Sequence, residues 1–433
     1  MRNNTIVYVI SIMAAASIGW FLFDPRFGGM IEYTVMLLFF VFIGGFVIVF
    51  YAENDEERRY LFFIFVTALF LRMLVSMLVH SLLPQGYFAP DESGILFNGK
   101  MIAHYWSGSG SYNTKMIDGV RFFAGTIFYI FGYKPHILFL FVNFLGAMSV
   151  LNIYFIARRL FNEQSAKYSS IVAAVLPSLV LWSSLPLKDP YTQFLITFII
   201  HLTLRLKQRL RINNVFLLVG SILLLGFFRA YLLLMVLVPI ASSFIPYRPD
   251  TFIRNVVVIF VLAIVFAAFL SSYESKQVPL QGEKPQSVFQ TLEQTRTGFY
   301  QGGSKILGHI NVSNPVDAIM YLPLLLTVFL LAPFPWNISG SILHNVATAE
   351  GLIWYYFFYY AIKGLIRSLK EGRFNIMPVL VIIGVLSSAY ALAITNMGAA
   401  YRFRGQVSIL ILVFSGYGLY LKRVEKEKRI DNP

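Results

Sequence analysis

Apolar residues in this chain come in long blocks that short polar stretches separate. A block of roughly 18 to 25 apolar residues allows an α-helix to cross about 30 Å of hydrocarbon. The segments that have or approach this character are 5–23, 30–51, 60–83, 135–157, 166–184, 191–206, 214–228, 231–246, 255–273, 318–334, 351–367, 376–395 and 406–421. The pattern predicts an all-α, polytopic membrane protein with about 12–13 transmembrane helices, outer-face loops and interfacial helices.

Two apolar blocks need an interpretation of their own. Segment 5–23 is either a cleaved signal peptide or a retained span. A cleaved signal usually ends in an A-x-A-like site, whereas this block ends in Phe21, Leu22 and Phe23, so we predict a retained span. Segment 119–132 is too short to cross the membrane, and we predict that it lies at the interface.

The composition supports a single membrane-embedded domain over residues 1–433. Hydrophobic residues make up 57% of the chain and charged residues only 13%, whereas a soluble domain carries about 25% charged residues. The chain has no cysteine, which excludes disulfides and thiolate chemistry. The net charge of +14 does not indicate a nucleic-acid partner, because the Lys and Arg residues are scattered among short loops.

The Lys and Arg residues also predict the orientation. With the N-terminus in the cytoplasm, most of them fall on the cytoplasmic side, as the positive-inside rule requires. We therefore predict a protein of the cytoplasmic (inner) membrane with both termini in the cytoplasm and a cytoplasmic tail at 422–433. Arg72 lies inside a span, where we favour a structural role. One inconsistency remains: either 318–334 is re-entrant, or residues 337–349 contain a further crossing.

This orientation puts three loops outside. We expect 84–121 to be the first outer catalytic loop and 185–190 to be a short second loop. The long loop 274–317 is polar and is a candidate lid or acceptor region. Residues 396–406 form a further short outer stretch.

Asp91 and Glu92 open the first outer loop just beyond a span. A carboxylate at the membrane surface can act as a general base. The structural alternative is that Asp91 is a helix N-cap and that the helix dipole favours Glu92.

Lys188 and Asp189 occupy the second outer loop. Lys188 is a candidate phosphate ligand beside a second acid. The structural alternative is an exposed ion pair that contributes little, with Asp189 as an N-cap before Pro190.

Arg402 and Arg404 lie in the outer stretch 396–406, against the charge rule. If this segment is extended, residues two apart point the same way, and two guanidinium groups suit a phosphate. The alternative is snorkelling at the interface. Arg229, between two apolar segments on the same side, is a plausible third phosphate ligand.

The remaining signals are mostly negative. The six histidines show no metal-binding spacing, and no nucleotide-binding motif occurs. No cofactor is predicted, and the residues give no support for a divalent cation. An acidic pair and several cations on the outer side indicate a site that activates a hydroxyl and stabilises a leaving phosphate. The donor would then be a lipid phosphate, because nucleotide sugars do not occur outside the membrane.

Several short motifs occur along the chain in a fixed order. They are the acidic pair 91–92, Ile102, Ala103, Trp106, 127–132, Asn143, 154–161, 173–178, 187–189, 333–336 and 401–404. With these motifs, the stretch from Arg72 to Arg205 resembles the membrane-embedded glycosyltransferases that use polyprenyl-phosphate sugars, the GT-C superfamily, including its protein O-mannosyltransferase-like group. The resemblance covers about a third of the chain. Ile95 and Gly99 depart from the family pattern, which leaves the subfamily open.

The resemblance implies an inverting hexosyl or pentosyl transfer to an acceptor hydroxyl. Asp91 would be the base, Lys188, Arg402, Arg404 and Arg229 would offset the charge of the leaving phosphate, and Glu92 and Asp189 would orient these groups. The implied partners are membrane lipid, the lipid-linked donor, and an acceptor that is a protein, a lipid or a polysaccharide.

Two other classes of protein fit part of the pattern. A lipid-linked oligosaccharide polymerase or ligase would not need Asp91 and Glu92. A flippase or transporter would show paired halves and acids buried in the membrane, and the sequence indicates neither.

Overall fold

The computed structural model describes residues 30–114, 117–243, 288–300, 307, 310–336 and 342–431. These residues form helices, turns and connecting segments, without β-strands, which confirms the all-α prediction. The α-helices are α1 (Met30–Tyr51), α2 (Asp55–Leu82), α3 (Asp91–Trp106), α4 (Gly119–Phe131), α5 (Pro135–Leu160), α6 (Glu163–Val175), α7 (Pro177–Ser184), α8 (Lys188–Gln208), α9 (Ile212–Phe228), α10 (Ala230–Ser243), α11 (Val288–Tyr300), α12 (Pro315–Leu331), α13 (Ile342–Lys370), α14 (Met377–Ala393) and α15 (Met397–Asp431).

Five of the described helical segments are long and apolar enough to cross a membrane, which makes the chain a multi-pass membrane protein. They include α1, α2 and α5. The other two are Phe374–Ala393, which contains α14, and Met397–Ile430 within α15. The pair α6 and α7 is bent by 57° and would be a sixth span if it crosses as one. The predicted number of 12–13 also counted shorter helices, and two of its segments, 5–23 and 255–273, lie outside the described residues.

The chain separates into two compact units, each described here by itself. The first comprises Met1–Asn152 and Ser170–Phe194, and the second comprises Ile153–Ser169 and Leu195–Pro433. The prediction of one membrane-embedded domain stays a prediction.

In the first unit, the buried Arg72 of α2 compensates for a break between two helices. The Ala173 carbonyl would normally accept a hydrogen bond from residue 177, but Pro177 has no N–H. The guanidinium of Arg72 donates to the carbonyls of Ala173 and Ala174, both at 3.4 Å, and to Ser183 Oγ at 2.7 Å. This geometry supports the structural role predicted for Arg72, because unpaired backbone groups are costly in hydrocarbon.

The segment predicted as the first outer loop, 84–121, contains α3 and the start of α4, and these two helices form a hairpin. A Cβ added to Gly99 would lie 2.8 Å from Ala124, and one added to Gly125 would lie 2.5 Å from Ile102, so glycine allows the two helices to touch. Trp106 meets Phe122 with ring centroids 5.3 Å apart. These contacts make the pair antiparallel. The 13 residues of α4 extend about 20 Å, less than the thickness of the hydrocarbon, and its position at the interface stays a prediction.

The uncertain region of the predicted topology is partly resolved. Because α13 is continuous from Ile342 to Lys370, residues 342–349 belong to the same helix as segment 351–367. A further crossing within 337–349 is therefore wrong, since only five residues precede this helix. The helix α12 ends at Leu331, two residues before Pro333, as a proline requires.

In the second unit, α13 and α15 pack closely through glycines, and a carboxylate locks one end of the pair. Glu371 accepts hydrogen bonds from Arg367 and Arg373, both at 2.6 Å, and from the Tyr417 hydroxyl at 2.8 Å. Tyr417 in turn stacks on Phe161, with centroids 4.2 Å apart. Burial raises the pKa of Glu371, but the hydrogen bonds from Tyr417 and the two arginines outweigh it and lower the pKa to about 2.

We predict that Arg72→Met lowers the free energy of unfolding by about 1–3 kcal/mol for each carbonyl left without a donor. Adding Pro177→Ala restores an N–H for the Ala173 carbonyl, so the double variant should be less destabilised than Arg72→Met alone. Thermal unfolding of the purified protein in detergent measures both. Strictly additive losses would show that Arg72 does not compensate for Pro177.

We also predict that Glu371 gives the protein a pH-dependent stability. Its folded-state pKa lies below the ordinary value of 4.5, so the stabilisation is complete above pH 4.5 and is lost as the pH falls towards 2. Glu371→Gln should lower the unfolding temperature at pH 7 and flatten this part of the pH profile. Glu427→Gln is the matched control, because Glu427 forms an exposed pair with Arg423. An unchanged profile in Glu371→Gln would contradict the assignment.

Candidate functional site

Asp91 lies at the first residue of α3 with an exposed side chain. The cap position is occupied by Pro90, and no side chain caps this end of the helix. The interpretation of Asp91 as the N-cap is therefore wrong. Its carboxylate lies at the N-terminal end of α3, where the backbone N–H groups carry partial positive charge.

Glu92 is buried and bound to His80 at the end of α2. Its Oε1 lies 2.8 Å from His80 Nε2, and the two side chains are 1% and 6% exposed. His80 Nδ1 lies 2.6 Å from the Ser76 carbonyl, and the ring stacks on Phe139 with centroids 3.9 Å apart. Glu92 thus joins the start of α3 to the end of α2, beside the exposed Asp91.

The hydrogen bonds of His80 determine where a proton must be. A backbone carbonyl only accepts, so Nδ1 donates to Ser76. The contact between Nε2 and the Glu92 carboxyl then needs a second proton, carried by either group. The sequence gives His80 no metal-binding spacing, and its only signal is its position twelve residues before Glu92.

Lys188 contacts Asp118 rather than the acidic pair. Its Nζ lies 2.9 Å from Asp118 Oδ2. Asp118 also caps α4 by accepting from the Arg121 amide at 2.9 Å. Burial raises the pKa of Asp118, but the hydrogen bonds from Lys188 and the Arg121 amide, with both positive charges, outweigh it and lower the pKa.

The hairpin separates Lys188 from Asp91. Asp91 begins α3, whereas Asp118 begins the antiparallel α4 and therefore lies near the other end of α3. The 16 residues of α3 extend about 24 Å. Asp118 was missed by the sequence analysis, because a cap residue in a loop carries no chemical signature of its own.

Asp189 is buried inside the first turn of α8, which begins at Lys188. The interpretation of Asp189 as the N-cap is therefore wrong. The backbone carbonyls of Lys188 and Asp189 accept from the Thr192 hydroxyl at 3.2 and 3.1 Å. The orienting role predicted for Asp189 stays a prediction.

Arg402 and Arg404 belong to the second unit and lie in the helix α15, not in an extended segment. The expectation that they point the same way is wrong, because residues two apart on a helix diverge by about 200°. Arg404 is buried and donates from Nη1 to the carbonyls of Ala332 at 2.6 Å and Leu330 at 3.3 Å. It therefore supports the end of α12, while Arg402 is half-buried.

Arg229 is the single residue between α9 and α10, and its backbone is extended. Its guanidinium carbon is 4.6 Å from the centroid of the Phe403 ring, and Nη1 donates to the Tyr231 hydroxyl at 2.8 Å. Phe403 lies between Arg402 and Arg404 in the sequence, so the second unit brings Arg229 to this segment of α15. The phosphate-binding role of these arginines stays a prediction.

A buried acid near Arg404 was missed by the sequence analysis. Glu350 of α13 accepts a short hydrogen bond from the Tyr401 hydroxyl, and the Arg404 guanidinium lies 5.3 Å from the Tyr401 ring. Trp354, one turn further along α13, faces the same guanidinium at 5.8 Å. A single acid near the start of a long aromatic helix gives no signal at the level of sequence.

Arg296 of α11 binds backbone carbonyls in and next to the described part of segment 274–317, which is predicted to be an outer loop. Its Nη1 donates to the Leu392 carbonyl at 2.8 Å, and its Nη2 to the carbonyls of Leu307 and Ile310 at 3.2 and 3.3 Å. Residues 274–287 lie outside the described residues, and the lid function predicted for 274–317 stays a prediction. Within the described ranges, no three His, Asp or Glu side chains are placed to hold a metal ion.

The fold defines the chain as an all-α, multi-pass membrane protein. No protein-family model and no curated protein sequence matches the chain.

Among solved structures, the chain is similar to an archaeal oligosaccharyltransferase from Archaeoglobus fulgidus. The match to the apo form has a TM-score of 0.46 and 14% identity and covers 88% of this chain and 52% of the other. The match to the AglB complex with an inhibitory peptide and a dolichol-phosphate has a TM-score of 0.47, 14% identity and the same coverage.

The chain therefore spans about half the length of these proteins. The archaeal enzyme is a membrane glycosyltransferase of the GT-C superfamily, the superfamily that the sequence motifs resemble.

We predict that His80→Phe destabilises the protein by about 3–5 kcal/mol, because Glu92 remains buried without its partner. Replacing both residues, His80→Phe with Glu92→Leu, leaves no buried charge and should recover most of the stability. Thermal unfolding in detergent is the measurement. A double variant as unstable as His80→Phe would show that the pair is not the source of the loss.

Proposed function

We propose that this chain is a glycosyltransferase that moves a sugar from a polyprenyl-phosphate donor to an acceptor hydroxyl on the outer face of the membrane. The observation that carries the proposal is the exposed Asp91 carboxylate at the start of α3. Its position is fixed by the neighbouring Glu92, which the buried contact with His80 ties to the end of a transmembrane helix. An exposed base on a rigid support is what a positioned proton transfer requires.

The chemistry assigned to Asp91 is a single displacement. Asp91 takes the proton of the acceptor hydroxyl while the acceptor oxygen forms a bond to the anomeric carbon. The bond from that carbon to the phosphate oxygen breaks, and the lipid phosphate leaves with the electron pair. Attack from the face opposite the phosphate inverts the configuration. Preorganised positive charge is usually the largest source of stabilisation for such a leaving group.

We assign binding of the donor phosphate to the arginines of the second unit. Arg402 is the first candidate, because its side chain is half-buried and not withdrawn into the core. Arg229 is supported by its contact with Phe403, the neighbour of Arg402. Arg404 fits a supporting role, since it already holds two carbonyls of α12. Lys188 has the weakest support, because Asp118 offsets its charge.

The test separates turnover from donor binding. Asp91→Asn should lower turnover by roughly 10²–10⁴-fold and leave donor binding nearly unchanged, because the amide keeps the shape but cannot accept the proton. Turnover is the release of polyprenyl phosphate from a polyprenyl-phosphate sugar in membranes that supply the acceptor. Arg402→Gln and Arg229→Gln should instead weaken binding of the donor.

Glu163→Gln is the control for Asp91→Asn, because it also removes a carboxylate from the first turn of a helix, where Glu163 forms a half-exposed pair with Lys167. Unchanged turnover in Asp91→Asn would rule out Asp91 as the base. Transfer of a glycan from a lipid-pyrophosphate donor by that variant, with the lipid pyrophosphate as the leaving group, would favour the polymerase or ligase class instead.

A further inference from the structure

The first unit contains a groove between α1 and α2 that the transferase proposal does not use. The groove encloses about 890 Å³, which is within the range of small-molecule sites. Its walls are mostly aromatic and aliphatic, and one end carries two cations. The residues that define it are Phe42, Gly45, Phe46, Phe62, Phe63, Arg58 and Arg59.

The helical spacing aligns these groups along the axis of α2. On α2, Arg58, Phe62 and Val66 lie four residues apart and form one stripe, and the stripe from Arg59 through Phe63 runs beside it. From Arg58 to Thr67 the groove runs about 14 Å. This is roughly half of a 30 Å hydrocarbon layer, which is the thickness of one leaflet.

Acidic groups lie immediately beyond the arginines. Asp55 Oδ1 is 2.8 Å from Arg58 Nη1, and Glu53 and Glu56 are exposed near the same end of α2. Glu57 is buried and accepts from the Glu53 amide at 2.7 Å, so it belongs to the helix start. From the bilayer outwards, the surface is therefore apolar, then cationic, then acidic.

We propose that this groove binds one phospholipid with a primary-amine headgroup, of the phosphatidylethanolamine type. The order of groups in that lipid is the same: acyl chains, then a phosphate, then an ammonium. The chains pack on the aromatic walls and the phosphate contacts Arg58 and Arg59, since guanidinium groups bind phosphate oxygens well. The ammonium donates hydrogen bonds to Glu53 and Glu56. A lipid with only negative charge would place its headgroup against these acids.

Two other occupants are conceivable, and the experiment distinguishes them. Segment 5–23 of this chain is a predicted span that lies outside the described residues. A second copy of the chain could also present an apolar helix. Neither has a phosphate followed by an ammonium, which is the order of charges that the cationic and acidic end of the groove would bind.

The experiment is native mass spectrometry of the full chain in detergent, with equal amounts of phosphatidylethanolamine, phosphatidylcholine and phosphatidylglycerol. We expect about tenfold more retained phosphatidylethanolamine than either competitor, which corresponds to about 1.4 kcal/mol. Gly45→Phe should abolish retention, because Gly45 lines the groove, a Cβ there meets nothing within 4 Å, and the added ring takes the space of an acyl chain. Gly220→Phe is the matched control, since the space beside Gly220 is equally open and it does not line the groove.

Charge variants test the polar end. Arg58→Gln with Arg59→Gln should lose binding of all three lipids, whereas Lys100→Gln, outside the groove, should bind as the unaltered chain does. Glu53→Gln with Glu56→Gln should keep binding but lose the preference over phosphatidylglycerol. Size-exclusion profiles confirm that each variant is folded.

Three outcomes would overturn the proposal. Equal retention of the three lipids would show that the groove takes any acyl chain. Retention that appears only after deletion of residues 1–27 would show that segment 5–23 fills the groove. A dimer that Gly45→Phe dissociates would show that a second copy does. None of these measurements uses a sugar donor or an acceptor, so their failure is independent of the proposed transferase activity.

Discussion

The structure depends on pairing every backbone polar group where water is absent. The bend between α6 and α7 shows the constraint most clearly, since Pro177 removes the N–H that the Ala173 carbonyl would use, and Arg72 supplies the donor from another helix. Gly146 leaves the space that this guanidinium needs, because a Cβ there would lie 2.5 Å from Arg72 Nε. A charged residue inside a span is thus part of the scaffold.

Buried arginines bind backbone carbonyls in the second unit as well. Burial of a cation therefore does not by itself indicate a ligand-binding role. Arg404 holds carbonyls at the end of α12, and Arg296 holds the Leu392 carbonyl next to the end of α14. Each places a guanidinium where a helix ends and its last carbonyls lack partners. A rare buried arginine is a functional candidate by default, but here the helix ends account for these two. Arg402, which is half-buried, remains the better candidate for contact with a ligand, whereas Arg229 is buried against Phe403 and Tyr231.

The carboxylates also differ in burial, and therefore in the role that each one can have. Asp91 is exposed, while its neighbour Glu92 is buried against His80, so adjacent acids have different environments. Successive residues on a helix are about 100° apart, and one can face the core while the next faces outwards. Asp118, in contrast, is a single loop carboxylate with two partners, since it caps α4 and also binds Lys188. An acidic pair in a sequence is therefore not one functional unit.

The sequence by itself determined the class of the protein, because long apolar blocks have one stable form in hydrocarbon, the α-helix. It also located the described spans and the hairpin helix at 119–132, since these depend on local composition. Only the tertiary structure decided which polar groups meet: Lys188 with Asp118, His80 with Glu92, and Arg229 with Phe403. The reason is physical. Such contacts join residues that are 12 to 174 positions apart, and their pairing is set by helix packing and by backbone groups in need of partners, neither of which leaves a local pattern.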